Sequence, residues 1–306
     1  SNVAMGYLAL STETLGDRNV AIGLGALAAQ NNTSDTDVYN TAIGYNAGAA
    51  VTTGIQNTIL GGLAGDALTT GAGNVAIGYE ALTTQIVGGR NVAVGSQALK
   101  NQNVNANANN TAVGYQAGLN VTTGVQNTLV GSLAGDALTT GTRNVAIGIN
   151  ALGTEDTGSH NVAIGYHALA VADAGADAYN VAIGSSAGAA VTTGTLNTII
   201  GALAGDAITS SIANVAIGYN ALSAEDTHGK NVAVGYQALK VQNAGADGYN
   251  TAVGFEAGKA ITSGIDNTLI GALAGDAITS SSQNVALGSS ALSALTIGTA
   301  NVALGY

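Results

Sequence analysis

The pattern Asn-[Val/Thr]-Ala-[Ile/Val/Leu/Met]-Gly-x-x-Ala returns along the whole chain, and a unit this short cannot bury a core of its own. Its Asn falls at 2, 19, 40, 57, 74, 91, 110, 127, 144, 161, 180, 197, 214, 231, 250, 267, 284 and 301, which makes 18 copies. Successive Asn are 17 residues apart, except for 21 between Asn19 and Asn40 and 19 before Asn110, Asn180 and Asn250. Those last three and Asn40 lie 70 residues apart and open larger duplicated blocks. The repeat predicts an all-β chain, a parallel β-solenoid with 17 residues per turn and 18 turns, elongated and forming a single repeat domain over residues 1–306. The chain begins and ends inside a repeat, so it is expected to be a fragment of a longer fibrous protein.

Within a unit, the residues one and three after the Asn are β-branched or aliphatic, as in Val20/Ile22, Val75/Ile77 and Val92/Val94, with Ala usually between them. That alternation predicts a short strand, its Val and Ile turned inward and a smooth Ala face turned out. In the units of Asn57, Asn127, Asn197 and Asn267 the Ala gives way to Ile59, Leu129, Ile199 and Leu269, which predicts a periodic packing layer on that outer face. Gly follows four residues after every Asn, Gly44, Gly61, Gly78 and Gly95 among them, and reads as a corner needing positive φ. A second apolar stretch, at Val51 and Leu68 ahead of Thr-Thr-Gly, predicts a second strand and a second wall. A helix is excluded, because two Gly in every 17 residues would each cost about 1 kcal/mol in a helix interior.

Asn40, Asn57, Asn74 and Asn91, and their equivalents, are expected to stack as an amide ladder along the axis. At about 4.8 Å per turn the column would reach on the order of 85 Å. With few large side chains per turn, an isolated copy would recover too little burial to offset the ordering of its backbone. Association of the Ala faces predicts a homo-oligomer, with a homotrimer as the first choice.

Composition narrows the function. A net charge of -11 with only seven Lys and Arg excludes a nucleic-acid partner. The uncharged run between Asp37 and Asp66 is broken every few residues by Asn, Thr or Gly, so no membrane insertion is expected. Glu155, Asp156 and Asp173 fall at matching places in adjacent turns, echoed by Glu225, Asp226 and Asp247, and are candidates for a Ca²⁺ site. Solvated loops explain them more simply, and no cofactor is expected. Asp66, Asp136, Asp206 and Asp276 are four turns apart and cannot share one ion. Tyr45, Tyr79, Tyr219 and Tyr236 follow the corner Gly and are candidates for glycan contact, against packing at a subunit seam. His160, His167 and His228 have no nearby nucleophile or partner constellation and read as loop and corner residues.

The run Asn-Thr-Ala-Ile-Gly-Tyr-x-Ala, followed by Thr-Thr-Gly and a return at 17, resembles repeats of bacteriophage tail fibres and of bacterial surface proteins that end in an intramolecular-chaperone domain. More distantly it is similar to the head of YadA-type trimeric adhesins, whose turns are shorter. The resemblance implies a trimeric, left-handed β-roll outside the cell, on a virion tail fibre or a bacterial surface, carrying attachment to a host glycan or protein and performing no catalysis. Neither a chaperone nor a membrane-anchor domain lies in the 306 residues. Two alternatives have sequence support. Ice binding would need unbroken ranks of Thr, which occur only in paired turns. A left-handed β-helix acyltransferase would need three hexapeptides per turn, where one is present.

Overall fold

The computed structural model describes residues 1–34 and 36–306. Among them there is no helix, and each repeat contributes one three-residue strand that starts directly after its Asn. The chain divides into two compact units, Ser1–Asn150 and Ala151–Tyr306. The first stacks nine such strands, from Val3–Met5 and Val20–Ile22 through Thr111–Val113 and Thr128–Val130 to Val145–Ile147. The second stacks another nine, from Val162–Ile164 through Thr198–Ile200 to Val302–Leu304. All of these pairings are parallel, which with the 17-residue return makes each unit a β-solenoid.

Register does not slip within either unit. Ala42 faces Ile59 and Ala182 faces Ile199 across 17-residue turns, while Val20 faces Thr41 and Val92 faces Thr111 across the longer ones. The extra residues therefore leave the column without disturbing it. Gly16–Asp17 pairs with Thr36–Asp37 beside the longest turn, and Ser159 bridges Asp177 beside another.

The two faces of the strand are the reverse of the expected ones. Ala21, Ala42, Ala76 and Ala182 have no exposed surface, and the flanking Val, Thr and Ile point outward, half-buried. The reason is the width of the column, in which the strand centre and the residue six further on share one space. Where the strand presents Ala76, Ala93 or Ala216, the residue six further on is a buried Leu (Leu82, Leu99, Leu222). Where it presents Ile59, Leu129 or Ile199, that residue is Gly65, Gly135 or Gly205. The bulky residues every fourth turn are thus core and not an outer layer, since Ile59, Leu129, Ile199 and Leu269 are all fully buried. Space is shared between levels as well. A Cβ on Gly188 would come within 2.9 Å of Ile199, 3.2 Å of Leu169 and 3.2 Å of Val191.

The second wall is not a strand. After the corner Gly, every second residue lies in the left-handed region, as at Gly23 (φ 127), Gly25 (φ 70) and Leu27 (φ 49), and such alternation cannot give an extended backbone. Turns replace it. Leu27 N–H reaches Ala47 O in the next turn at 3.1 Å, while Ala28 N–H closes back on Gly25 O at 3.3 Å. The left-handed conformation costs a non-Gly residue roughly 1–2 kcal/mol, and the bonds between turns hold it there.

The corner itself admits only Gly. Gly44, Gly61, Gly78 and Gly95 have φ of 140, 134, 127 and 139 degrees, and a Cβ on them would meet the carbonyl oxygen of the next corner Gly at 2.2–2.6 Å. At Gly114 (φ 143) the approach to Gly131 O is 2.4 Å. Gly114→Ala is expected to destabilise its unit by roughly 3 kcal/mol, read as a lower denaturant midpoint. Ala213→Gly, at an exposed residue with φ 59, is expected to raise that midpoint by relieving strain.

Candidate functional site

The Asn ladder is the most regular polar feature of either unit. Asn57 N–H donates to Asn40 Oδ1 at 2.8 Å, and Asn57 Nδ2 reaches the same oxygen at 3.2 Å and Gly71 O at 2.9 Å. Asn74 repeats this on Asn57 at 3.0 Å, Asn91 on Asn74 at 3.1 Å, and Asn197 on Asn180 at 3.0 Å in the second unit. Each of these side chains accepts from the N–H of the next Asn, and those of Asn40, Asn57, Asn74, Asn180 and Asn197 also donate to the carbonyl fourteen residues on. All are buried, so their polar atoms depend on one another and not on water.

A second polar column, not recognised in the sequence, runs eleven residues after the Asn. Two turns of each block carry Val, Leu or Ile there, and the other two carry mainly Gln or Glu. In the long turns the Gln patches the ladder: Asn40 Nδ2 donates to Gln30 Oε1 at 3.0 Å, Asn110 Nδ2 to Gln102 Oε1 at 3.2 Å, and Asn250 Nδ2 to Gln242 Oε1 at 2.7 Å. The signal was available, as an interruption of the apolar series of Val51, Leu68, Val121 and Leu138 by Gln85, Gln102 and Glu155.

The glutamates of this column differ in how they are held. Burial favours the neutral form of Glu13, but the N–H groups of Gly16 and Leu15 and the amides of Asn32 and Gln30 outweigh it and bring the carboxyl from 4.5 down to about 2. Glu155 is fully buried, and burial pushes it up despite N–H donors from Gly158 at 2.7 Å and Ala174 at 3.5 Å. Glu225, equally buried, is pushed up to about 7, with His228 N–H at 3.1 Å as partial compensation and the Asp226 carboxylate adding to the rise.

Two carboxylate clusters result. Glu155, Asp156 and Asp173 do come together, with one ligand atom from each inside a 4.8 Å span. Glu225, Asp226 and His228 form a second cluster within the same span, so His228 has a partner constellation that the sequence did not reveal. Asp66, Asp136 and Asp206 lie half-buried at separate levels, and burial raises each of them.

The rings take two arrangements. Tyr45, Tyr79, Tyr219 and Tyr236 are all exposed. Tyr219 and Tyr236 stack at 5.5 Å and Tyr236 stacks on Phe255 at 5.2 Å, so that their faces are spent on one another and their edges are presented. Tyr39, Tyr179 and Tyr249 instead cap a motif of the long turns. Arg18 sits over Tyr39 and pairs with Asp37 at 2.8 Å, while Lys230 sits over Tyr249 and pairs with Asp247 at 2.6 Å. His160 stacks on Tyr179 at 4.8 Å and lies 3.3 Å from Asp177. In the fourth long turn Arg90 has Asn107 and Asn109 at the corresponding places.

No family model matches the chain, and no curated protein is significantly similar to it.

Two outcomes test this site. Asn197→Ala removes the acceptor of Asn214 N–H and the Nδ2 donor to Asn180 Oδ1 and Ser211 O, leaving only the backbone N–H of residue 197 on Asn180, and is expected to cost about 1–3 kcal/mol in urea unfolding. Glu13 has a lowered folded pKa, so its stabilising contribution is complete above 4.5 and is lost as the pH falls from there toward 2. Glu13→Gln is expected to flatten that acid limb of the stability profile, measured by thermal melts across the pH range.

Proposed function

We propose that this chain is a structural segment of an extracellular fibre or adhesin, on a virion tail fibre or a bacterial surface, that assembles with copies of itself and has no catalytic role. One observation carries the reading. In each unit the outward strand face is an in-register file of Val, Thr and Ile, half-buried at most positions and with Ile43, Val113, Ile147 and Ile270 37–39% exposed. A contiguous apolar stripe of this kind is what a monomer covers by association. Its side chains sit at the spacing of the strands, about 4.8 Å, so a second copy can match it level for level. The Ala face invoked by the sequence argument is already inside the column, so the driving force for assembly is the Val and Ile face.

The choice of three copies follows the resemblance of the repeat to trimeric fibre and adhesin heads. Exposed Tyr edges outside the stripe would be available to a host glycan or protein, and the acidic balance repels nucleic acid.

Light scattering on the purified chain is expected to give three times the 29.6 kDa chain mass. Ile183→Asp, on the outward face, should lower the mass to one chain while the far-ultraviolet spectrum is retained. Ala182→Asp, in the core, should abolish that spectrum. A wild-type monomer at micromolar concentration would refute the assembly reading.

A further inference from the structure

We propose that Glu225, Asp226 and His228 form a divalent transition-metal site of the zinc-binding class. The three side chains bring one ligand atom each within 4.8 Å of the others. A tetrahedral zinc site places its oxygen and nitrogen ligands roughly 3.3 Å apart, a closure that rotamer changes of the half-exposed Asp226 and His228 supply. Two carboxylates with an imidazole are a donor set suited to zinc, whereas calcium takes oxygen alone.

The independent sign of a missing ligand is Glu225. It has no exposed surface, and its Oε2 is out of solvent with no hydrogen bond. Its other oxygen accepts from His228 N–H at 3.1 Å, so the free oxygen belongs to a carboxylate fixed in place beside the imidazole. Among the described residues no Lys or Arg side chain is paired with it. Lys230, the nearest ammonium in sequence, is committed to Asp247 at 2.6 Å and to the Tyr249 hydroxyl at 3.1 Å. A buried carboxylate without a counter-charge is costly, and a bound cation removes that cost. The Thr227 hydroxyl, 3.1 Å from Asp226 Oδ1 and 3.0 Å from His228 Nδ1, holds the other two candidate ligands together. One turn on, Gln242 Nε2 is also buried without an acceptor.

The block one step earlier is a built-in control. There Gly158 stands where His228 stands, and both oxygens of Glu155 accept backbone N–H groups, from Gly158 and Ala174. The same loop without the imidazole has its carboxylate already satisfied.

Zinc chloride titrated into the untagged full chain against a chromogenic chelator is expected to show a single saturable equivalent. His228→Gln and Glu225→Gln should each weaken it by at least about tenfold, and Asp156→Asn should leave it unchanged. Replacing zinc by cobalt should give visible d–d bands that His228→Gln shifts or removes. His228 lies half-exposed in a loop, so this variant keeps its far-ultraviolet spectrum and isolates the ligand role from folding. Absence of a saturable equivalent, or binding undiminished in His228→Gln, overturns the assignment.

Discussion

Within each unit, the hydrogen bond from an Asn backbone N–H to the side-chain oxygen of the Asn one turn earlier is the interaction on which the column depends. It fixes level against level, because an Asn displaced by one residue would lose its acceptor and would turn its whole strand over. It also explains how turns of 17, 19 and 21 residues coexist. Asn40 still finds Asn19 Oδ1 at 3.2 Å across the longest turn, and Asn110 finds Asn91 at 3.2 Å. Gln30 and Gln102 then take up the amide protons that the regular ladder would have satisfied. Loop length is thereby free to vary outside a column whose interior register is constant.

With register fixed, volume decides what goes inside. Hydrophobicity alone would bury Val and Ile and expose Ala. The column instead buries Ala, because the strand centre lies against a Leu of its own turn, as at Ala76 and Leu82, or shares its level with bulky residues reaching in from adjacent turns, as Leu27 and Ile59 do at Gly48, and only a small side chain fits. The exceptions obey the same rule, since Ile59, Leu129, Ile199 and Leu269 enter only where Gly has vacated the facing position. The displaced apolar surface does not disappear. It is carried on the outer face of each unit, and it is the surface on which the proposed self-association rests.

Much of this was legible in the residues. The period, the strand after each Asn, the corner Gly and the stacking Asn all follow from identity recurring at fixed spacing. The inward face did not follow, because a period of two states that the faces alternate and leaves their sign to packing. The second wall was misread as a strand for a related reason. Residues such as Leu27, Leu82 and Leu99 are poor candidates for a left-handed backbone in isolation, and only bonds from adjacent turns keep them there. The Glu and Gln column was hidden because its members alternate with Val, Leu and Ile at the same place. The pairing of Arg18, His160 and Lys230 with Asp37, Asp177 and Asp247 joins residues 17 or 19 apart, which only the winding of the chain brings together.

The loops and the column thus divide the labour: the column sets spacing and presents an apolar stripe, while the loops carry charge, rings and the Glu225 cluster. All of it presupposes the buried ladder. Amide hydrogen exchange resolved by residue tests that ladder most directly. The backbone N–H groups of Asn57, Asn74, Asn127 and Asn197, each bonded to a buried Asn oxygen, should be among the slowest to exchange in their units. Exchange of those amides as fast as that of the exposed loop residues would contradict the account.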